Sequence, residues 1–192
     1  MISICFATNN KNKLEEVRAH VGSEYTILSL EDIGCFDDIP ETAPTIEGNA
    51  AQKARYVAQK YNVNCFADDT GLEVNALNGA PGVYSARYAG PERSPEANMQ
   101  KLLIELTNQK DRSARFKTCI TLIIDSKEQS FIGEIKGTIL TNRQGEKGFG
   151  YDPIFQPDGY DSTFAEMSMD LKNKISHRGL AVTKLLAHLK TL

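Results

Sequence analysis

The sequence has no surplus of basic residues. Its 22 lysines and arginines are outnumbered by 25 acidic residues, which gives a formal net charge of -3. A nucleic-acid-binding protein is expected to carry a basic surplus or stripe, so neither a nucleic acid polymer nor an anionic membrane surface is a predicted partner. Any anionic ligand must therefore be held by a local cluster of Lys, Arg and backbone donors.

Close cysteine pairs and long apolar runs are also missing. Cys5, Cys35, Cys65 and Cys119 are far apart, without the CxxC spacing that suggests a zinc or thioredoxin-type site. No apolar run is long enough to cross a bilayer, and the N-terminus has no signal-type pattern. We therefore expect buried free thiols and a cytoplasmic protein with no membrane partner.

Internal repeats and low-complexity tracts are absent as well. The composition is that of an ordinary globular protein, with 41% apolar and 24% charged residues. A chain of 192 residues is long enough to bury a sizeable core. The prediction is a single domain over 1–192.

Two adjacent acids follow a short apolar run. Val63 to Ala67 predicts a strand that ends at Asp68 and Asp69, a position where α/β folds commonly place chemistry. Because neighbouring side chains of an extended chain point to opposite faces, only one of the two acids can face a given ligand. The other acid is predicted to be structural.

A second polar stretch separates a predicted strand, Ile2 to Ala7, from a predicted helix that begins near Leu14. A loop that enters a helix N-terminus offers free N–H groups to an anion, which favours phosphate binding. A solvated turn with an Asn cap is the alternative. The residues concerned are Thr8, Asn9, Asn10, Lys11, Asn12 and Lys13.

The loop from Glu31 to Glu47 is rich in acids and leads into another predicted helix. Glu41 and Glu47 are candidate metal carboxylates, and Lys53 on the helix is a candidate phosphate contact. Stabilisation of the helix dipole explains Glu47 well but explains Glu41 poorly, because Glu41 lies further upstream.

The rest of the chain predicts a hairpin and two more helices. Ser94-Pro95 is a helix start, and Ser176 to Gly179 opens the last helix. Ala114 to Asp125 and Ser130 to Leu140 predict a long hairpin. Asp170 to Lys174 is polar and lysine-rich, without a predicted element.

Five ordered motifs stand out along the chain: Ala7-Thr8-Asn9-Asn10 with Lys13, Phe66 to Leu72, Gly79 to Arg87, Phe149 to Phe155 and Ser176 to Gly179. Together they resemble the motifs of the inosine triphosphate pyrophosphatase family, which removes non-standard purine nucleotides from the nucleotide pool. The resemblance runs essentially end to end. It departs from the family at Asn9, where many members have Gly, and at Thr70, where many have Ser.

The resemblance implies an α/β fold with an elongated, twisted mixed β-sheet flanked by helices, and two lobes around a central active-site cleft. It also implies a homodimer that depends on Mg²⁺. The implied reaction cleaves a purine nucleoside triphosphate (ITP, dITP or XTP) between the α and β phosphates, which gives the monophosphate and pyrophosphate.

The resemblance further implies roles for individual residues in hydrolysis. Glu41 and Asp69 would bind Mg²⁺, and Asp69 would also orient and deprotonate the attacking water, with Asp68 supporting its orientation. Arg87 is a weaker candidate for phosphate binding. The main phosphate contacts would be Thr8, Asn9, Asn10, Lys11, Asn12, Lys13, Lys53 and Thr70.

A second group of residues would recognise the base. Phe149 can stack on a purine, and His177 and Arg178 can donate hydrogen bonds to a 6-oxo group, which adenine lacks. Asp152 can accept from N1–H or orient Tyr151. The whole group is Phe149, Gly150, Tyr151, Asp152, Lys172, His177 and Arg178, with Lys172 able to reach the base edge or the ribose.

Two other functions remain open. One is a pyrophosphatase for other modified nucleotides, such as pyrimidines; Phe149 and His177-Arg178 argue against it. The other is a nucleotide-sensing protein without turnover. The presence of both Glu41 and Asp69 argues for catalysis instead.

Overall fold

A computed structural model describes residues 2–21 and 23–191. Its strands form one seven-stranded sheet in the order β2-β1-β3-β5-β6-β7, and β4 pairs with β3. β1 runs parallel to β2 and β3, whereas β4 and β7 run antiparallel to β3 and β6. The strands are β1 (Ile2–Phe6), β2 (Tyr25–Leu28), β3 (Cys65–Val74), β4 (Pro81–Gly82), β5 (Ser113–Ile124), β6 (Lys127–Ile139) and β7 (Phe155–Pro157).

The described part of the chain also has five α-helices: α1 (Lys11–Val21), α2 (Ile46–Tyr61), α3 (Pro95–Glu105), α4 (Met169–Ile175) and α5 (His177–Leu189). The predicted α/β class with a mixed sheet and flanking helices is therefore confirmed. None of the described helices is both long enough and apolar enough to cross a membrane.

Side-chain caps explain where three of the helices start. The hydroxyl of Thr45 accepts from the N–H of Gly48 at α2, and Ser94 caps α3 with Pro95 at its first position. Helix α4 was not predicted, because its sequence is polar and lysine-rich. It nevertheless begins with an ordinary cap, in which the side chain of Ser168 accepts from the N–H of Leu171.

The chain divides into two compact units. Unit 1 comprises Met1–Asp69, Thr118–Gly133 and Arg178–Leu192. Its strands carry a core on each face, since alternate residues of β1 and β3 point to opposite sides. One core holds Phe6 and Phe66, stacked 4.6 Å apart, with side chains of α1 and α5; the other holds Cys5, Cys65 and Ala67 with side chains of α2.

Unit 2 comprises Thr70–Lys117 and Glu134–His177, and it has a core of its own. Phe155 and Phe164 lie at its centre, and the ring of Phe116 packs edge-on against Phe155 at 4.7 Å. Leu102 on α3 and Leu106, which directly follows the helix, are fully buried in the same core.

The two acids lie inside β3 rather than at its end, so the prediction that the strand stops there is wrong. Cys65 and Phe66 pair with β1, and Leu72 and Glu73 pair with β4, so pairing at both ends keeps the polar residues between them extended. The predicted alternation of the two side chains therefore still applies.

The predicted hairpin is present, but its turn is shorter than expected. β5 ends at Ile124 and β6 begins at Lys127, which leaves only Asp125 and Ser126 between them. Both have positive φ angles, 48° and 65°, which matches the backbone twist of a two-residue hairpin turn. The four cysteines are free and buried, as predicted.

Candidate active site

Asp68 is the centre of a buried ion-pair chain in unit 1. Its carboxylate accepts from Lys13 Nζ at 2.9 Å and from Arg178 Nε at 3.1 Å. Nη1 of Arg178 donates in turn to Glu16 Oε2 at 2.5 Å. Lys13 and Glu16 lie three residues apart on α1, so both reach the same side of the helix, and Arg178 comes from the first turn of α5.

The charges of this chain stabilise one another. Burial alone would raise the pKa of Asp68, but Lys13, Arg178 and Lys53 lower it well below its usual range. Burial likewise opposes the charge of Arg178, while Glu16 and Asp68 raise the pKa of the guanidinium. Asp68 is thus held as a carboxylate that two cations already contact.

Asp69 points to the other face of β3, toward α2. Its Oδ1 lies 3.7 Å from Lys53 Nζ, and its Oδ2 accepts from Asn49 Nδ2 at 3.3 Å. Burial raises the pKa of Asp69, and Glu41 and Asp68 add to the rise, while Lys53 and Lys13 oppose it. A carboxylate held by longer contacts and with a raised pKa is better suited to accept a proton than Asp68.

Glu41 and Asp69 contact the same cation, the ammonium of Lys53. Lys53 Nζ donates to Glu41 Oε1 while it also contacts Asp69. Burial opposes the charge of Lys53, but Asp69, Glu41 and Asp68 raise its pKa overall. Within residues 2–21 and 23–191, no group of three or more His, Cys, Asp or Glu residues is arranged to hold a metal ion. The carboxylates that share the ammonium of Lys53 are those of Glu41 and Asp69.

The polar loop before α1 has the Asn cap that the alternative interpretation expects. Thr8 Oγ1 accepts from the N–H of Asn10, and Asn10 Oδ1 accepts from the N–H of Lys13. Asn9, Lys11 and Asn12 are exposed, so their side chains are open to solvent. Burial lowers the pKa of Lys13, with Lys53 and Arg178 adding to the effect while Asp68 and Asp69 oppose it.

In unit 2, Asp152 organises the second glycine-rich motif. Its Oδ2 accepts from the N–H of Phe149 at 2.8 Å and from Lys172 Nζ at 2.7 Å. The ammonium of Lys172 lies 5.0 Å from the centre of the half-buried Phe149 ring, which is a cation–π contact. Phe149, Asp152 and Lys172 therefore form one connected group.

Two further residues predicted for the base side, Tyr151 and His177, also have partners in unit 2. The hydroxyl of Tyr151 donates to the carbonyl of Ser85 at 2.9 Å. The ring of His177 stacks on Phe116 at 4.5 Å and is 4% exposed. The guanidinium of Arg87, the weaker candidate for phosphate binding, lies 5.2 Å from the centre of the Tyr84 ring, which is a cation–π contact.

Sequence reasoning missed two residues of unit 1, Glu16 and Asn49. Both are polar and buried, with 4% and 1% exposure. The available signal was helical spacing: Glu16 lies three residues after Lys13, and Asn49 lies four residues before Lys53.

Two predicted residues, Thr70 and Glu47, have ordinary surroundings. Thr70, the next residue of β3 after Asp69, is partly exposed. Glu47 lies in the first turn of α2, where an acid stabilises the helix dipole.

Comparison with known proteins places this chain among close relatives. The model of the Ham1 family matches residues 4–188. The dITP/XTP pyrophosphatase of Flavobacterium johnsoniae is 58% identical over 96% of each chain. The Ham1 protein of Staphylococcus aureus superposes with a TM-score of 0.89 at 41% identity, over 98% of each chain. A HAM1 protein from Coxiella burnetii gives a TM-score of 0.91 at 36% identity, over the full length of both chains.

Proposed function

The chain belongs to the Ham1 family, and from that premise we propose that it hydrolyses non-standard purine nucleoside triphosphates, dITP, ITP and XTP, to the monophosphate and pyrophosphate. Relatives that carry the name dITP/XTP pyrophosphatase support this reaction. The observation that carries the proposal is that the two adjacent acids have different contacts. Asp68 is neutralised by two cations, while Asp69 shares a cation with Glu41.

Asp69 is the proposed general base. A positioned base typically contributes about 10²–10⁴-fold to a rate, and it works best when its pKa is raised toward the working pH. Burial raises the pKa of Asp69 in that direction. In our proposal its carboxylate orients a water molecule for attack and takes up the proton, while Asp68 and Arg178 hold the strand from the opposite face.

Glu41 and Asp69 are the proposed ligands of a Mg²⁺ ion. Magnesium is usually held by one or two carboxylates together with water and substrate phosphates, and two carboxylates that already share an ammonium fit that donor set. The metal would neutralise phosphate charge that otherwise repels the attacking water. Once it no longer contacts the two carboxylates, the ammonium of Lys53 would be able to contact a phosphate.

The phosphates are proposed to contact Thr8, the first turn of α1 and Thr70. The positive dipole end of α1 favours an anion, and the first turn contains no acidic residue. The exposed side chains of Asn9, Lys11 and Asn12 add donors there, and Lys13 adds a half-buried ammonium.

The group of Phe149, Asp152 and Lys172 is proposed to bind the base together with His177. Stacking on an aromatic ring is worth roughly 1–3 kcal/mol per base. A donor directed at a 6-oxo group meets the 6-amino donor of adenine instead, which disfavours ATP. Arg178 has two of its nitrogens on carboxylates, so we propose an anchoring role for it beside the predicted contact with the base.

We also propose a cytoplasmic homodimer, as the family resemblance implies. Light scattering combined with size-exclusion chromatography tests the assembly. A mass of one chain of 21.2 kDa would contradict the dimer, and twice that mass would support it.

A substrate panel tests the function. The protein is incubated with Mg²⁺ and dITP, XTP, GTP, ATP or dUTP, and the products are separated by ion-exchange chromatography. We expect the monophosphate and pyrophosphate from dITP and XTP, and much slower turnover of ATP. Diphosphate and orthophosphate would contradict the proposed bond cleavage, preference for dUTP would favour a pyrimidine house-cleaning enzyme, and tight binding without products would favour a sensor.

A further inference from the structure

One face of α2 carries a row of polar side chains. Each of them has a hydrogen-bond partner in unit 1 on the loop of residues 34–45. They follow one another at helical spacing: Asn49, Gln52, Lys53, Tyr56 and Lys60. This loop carries Glu41. The helix therefore holds the loop along most of its length.

The far end of the loop is attached at Asp37. Its carboxylate accepts from Lys60 Nζ at 2.8 Å, from the hydroxyl of Tyr61 at 2.6 Å and from the hydroxyl of Tyr56 at 3.1 Å. These contacts lie at the C-terminal end of α2, so they fix the start of the loop. The position of Glu41 depends on other contacts that lie nearer to it.

Two amide side chains hold the loop next to Glu41. Thr42 donates its N–H to Gln52 Oε1 at 2.9 Å and accepts from Gln52 Nε2 at 2.9 Å. The following residue, Ala43, donates its N–H to Asn49 Oδ1 at 2.9 Å. The loop passes so close to the helix that a Cβ at Gly48 would lie 2.7 Å from Cβ of Ala43.

Asn49 differs from Gln52 because its amide also reaches β3. The N–H of Ala43 can only face an acceptor, so Oδ1 of Asn49 points to the loop and Nδ2 points to Asp69 Oδ2, at 3.3 Å. Asn49 is 1% exposed, so its amide is withdrawn from solvent. A single planar amide thus connects the loop of Glu41 to the carboxylate of Asp69.

We propose that Asn49 is a positioning residue that sets the separation and orientation of the Glu41 and Asp69 carboxylates for a divalent cation. The inference rests on the proposed function, which makes these two acids the metal ligands. A group that orients metal ligands typically affects metal affinity or activity about 10- to 100-fold when it is removed. Gln52 holds the same loop without touching Asp69, so it is the matched control.

The test measures Mg²⁺ and Mn²⁺ binding to the nucleotide-free protein by isothermal titration calorimetry, for wild type, Asn49→Ala and Gln52→Ala. We expect Asn49→Ala to weaken metal binding about 10- to 100-fold, and Gln52→Ala to weaken it less than about threefold. Asn49→Ser, which keeps a hydroxyl at the buried position but is too short to reach both partners, replaces Asn49→Ala if the latter does not fold.

A double-variant cycle separates positioning from a merely structural role. If Asn49 acts through Asp69, adding Asn49→Ala to Asp69→Asn weakens metal binding no further, whereas independent effects would add. If Asn49→Ala binds the metal as tightly as wild type and only its melting temperature falls, the inference is overturned. The proposed function still stands in that case, provided that the wild-type protein is active. A wild-type protein that neither binds the metal nor turns over any nucleotide of the panel would overturn both.

Discussion

Glu16 and Arg178 form an ion pair of 2.5 Å in which each side chain is no more than 5% exposed. Neither charge could be buried alone, because desolvation of an isolated ion costs several kcal/mol. Arg178 in turn contacts Asp68, so the pair connects α1 and α5 to the strand that carries the acids. The acid chemistry proposed for Asp69 thus rests on a neighbour that is fixed from two helices.

Replacement of Glu16 by Ala is expected to destabilise the protein strongly. It leaves the guanidinium of Arg178 buried with one carboxylate partner fewer, and breaking a buried ion pair costs about 3–5 kcal/mol. The matched control is Glu24→Ala, which breaks the exposed pair with Lys190 and should cost at most about 1 kcal/mol. Urea unfolding of both variants measures the difference, and equal losses would contradict the buried-pair argument.

Asn substitutions of the two adjacent acids should give opposite outcomes. Asp69→Asn is expected to lower turnover by about 10²–10⁴-fold, because it removes the proposed base. Little loss of stability is expected, because burial disfavours the charged form of Asp69, as its raised pKa shows. Asp68→Asn is expected to cost about 3–5 kcal/mol of stability, because Lys13 and Arg178 lose their shared anion. A stable, inactive Asp68→Asn beside an active Asp69→Asn would assign the base to Asp68.

The alternation of Asp68 and Asp69 is the part of the site that the sequence predicts best. A period of two residues in an extended chain is enough to put the acids on opposite faces, and the contacts with α1 and α5 on one side and α2 on the other confirm it. The same local logic identified the starts of α3 and α5, where the signals lie within a few residues.

What the sequence could not predict depends on contacts between distant residues. The continuation of β3 through polar residues depends on pairing with β4, which lies further along the chain. Glu16 contacts Arg178 across 162 positions, so its helical spacing from Lys13 does not by itself show that it is buried. Helix α4 was missed because the pattern of its lysines resembles a solvated loop until the buried partner of Lys172, Asp152, is known.

Acid should weaken the attachment of the loop at Asp37. Hydrogen bonds from Lys60 and Tyr61 lower the pKa of Asp37 from 3.8 to about 2, against a small opposing effect of burial and with further help from Tyr56. Because the folded-state pKa is the lower one, the contribution to stability is complete above about pH 4 and is lost as the pH falls through about 2.

The variant Asp37→Asn tests this dependence. It should be less stable than wild type at pH 7, and the difference in the free energy of unfolding should narrow between about pH 4 and pH 2. Urea unfolding at several pH values within that window measures the gap. A gap that stays constant with pH would show that the carboxylate does not titrate in the expected range.

Loss of the Phe149 ring should affect affinity for the nucleotide. If the ring stacks on the base, Phe149→Ala raises KM for XTP by about 5- to 150-fold, which corresponds to the roughly 1–3 kcal/mol of a stacked base. Phe149→Tyr keeps the ring and should stay near wild type. Steady-state kinetics on both variants checks the prediction, and an unchanged KM in Phe149→Ala would make the ring a structural residue.

Gly148 should be far less tolerant of a side chain than another glycine with the same backbone conformation. Gly148 and Gly159 have φ angles of 73° and 83°, so alanine at either costs about 1–2 kcal/mol of backbone strain. No described atom lies within 4 Å of a Cβ at Gly159, whereas a Cβ at Gly148 would overlap Oδ2 of Asp152. That oxygen accepts from both Phe149 and Lys172, so its displacement breaks two hydrogen bonds at once. We therefore expect Gly148→Ala to cost at least about 1.5–3 kcal/mol more than Gly159→Ala in urea unfolding, and equal costs would contradict a fixed Asp152.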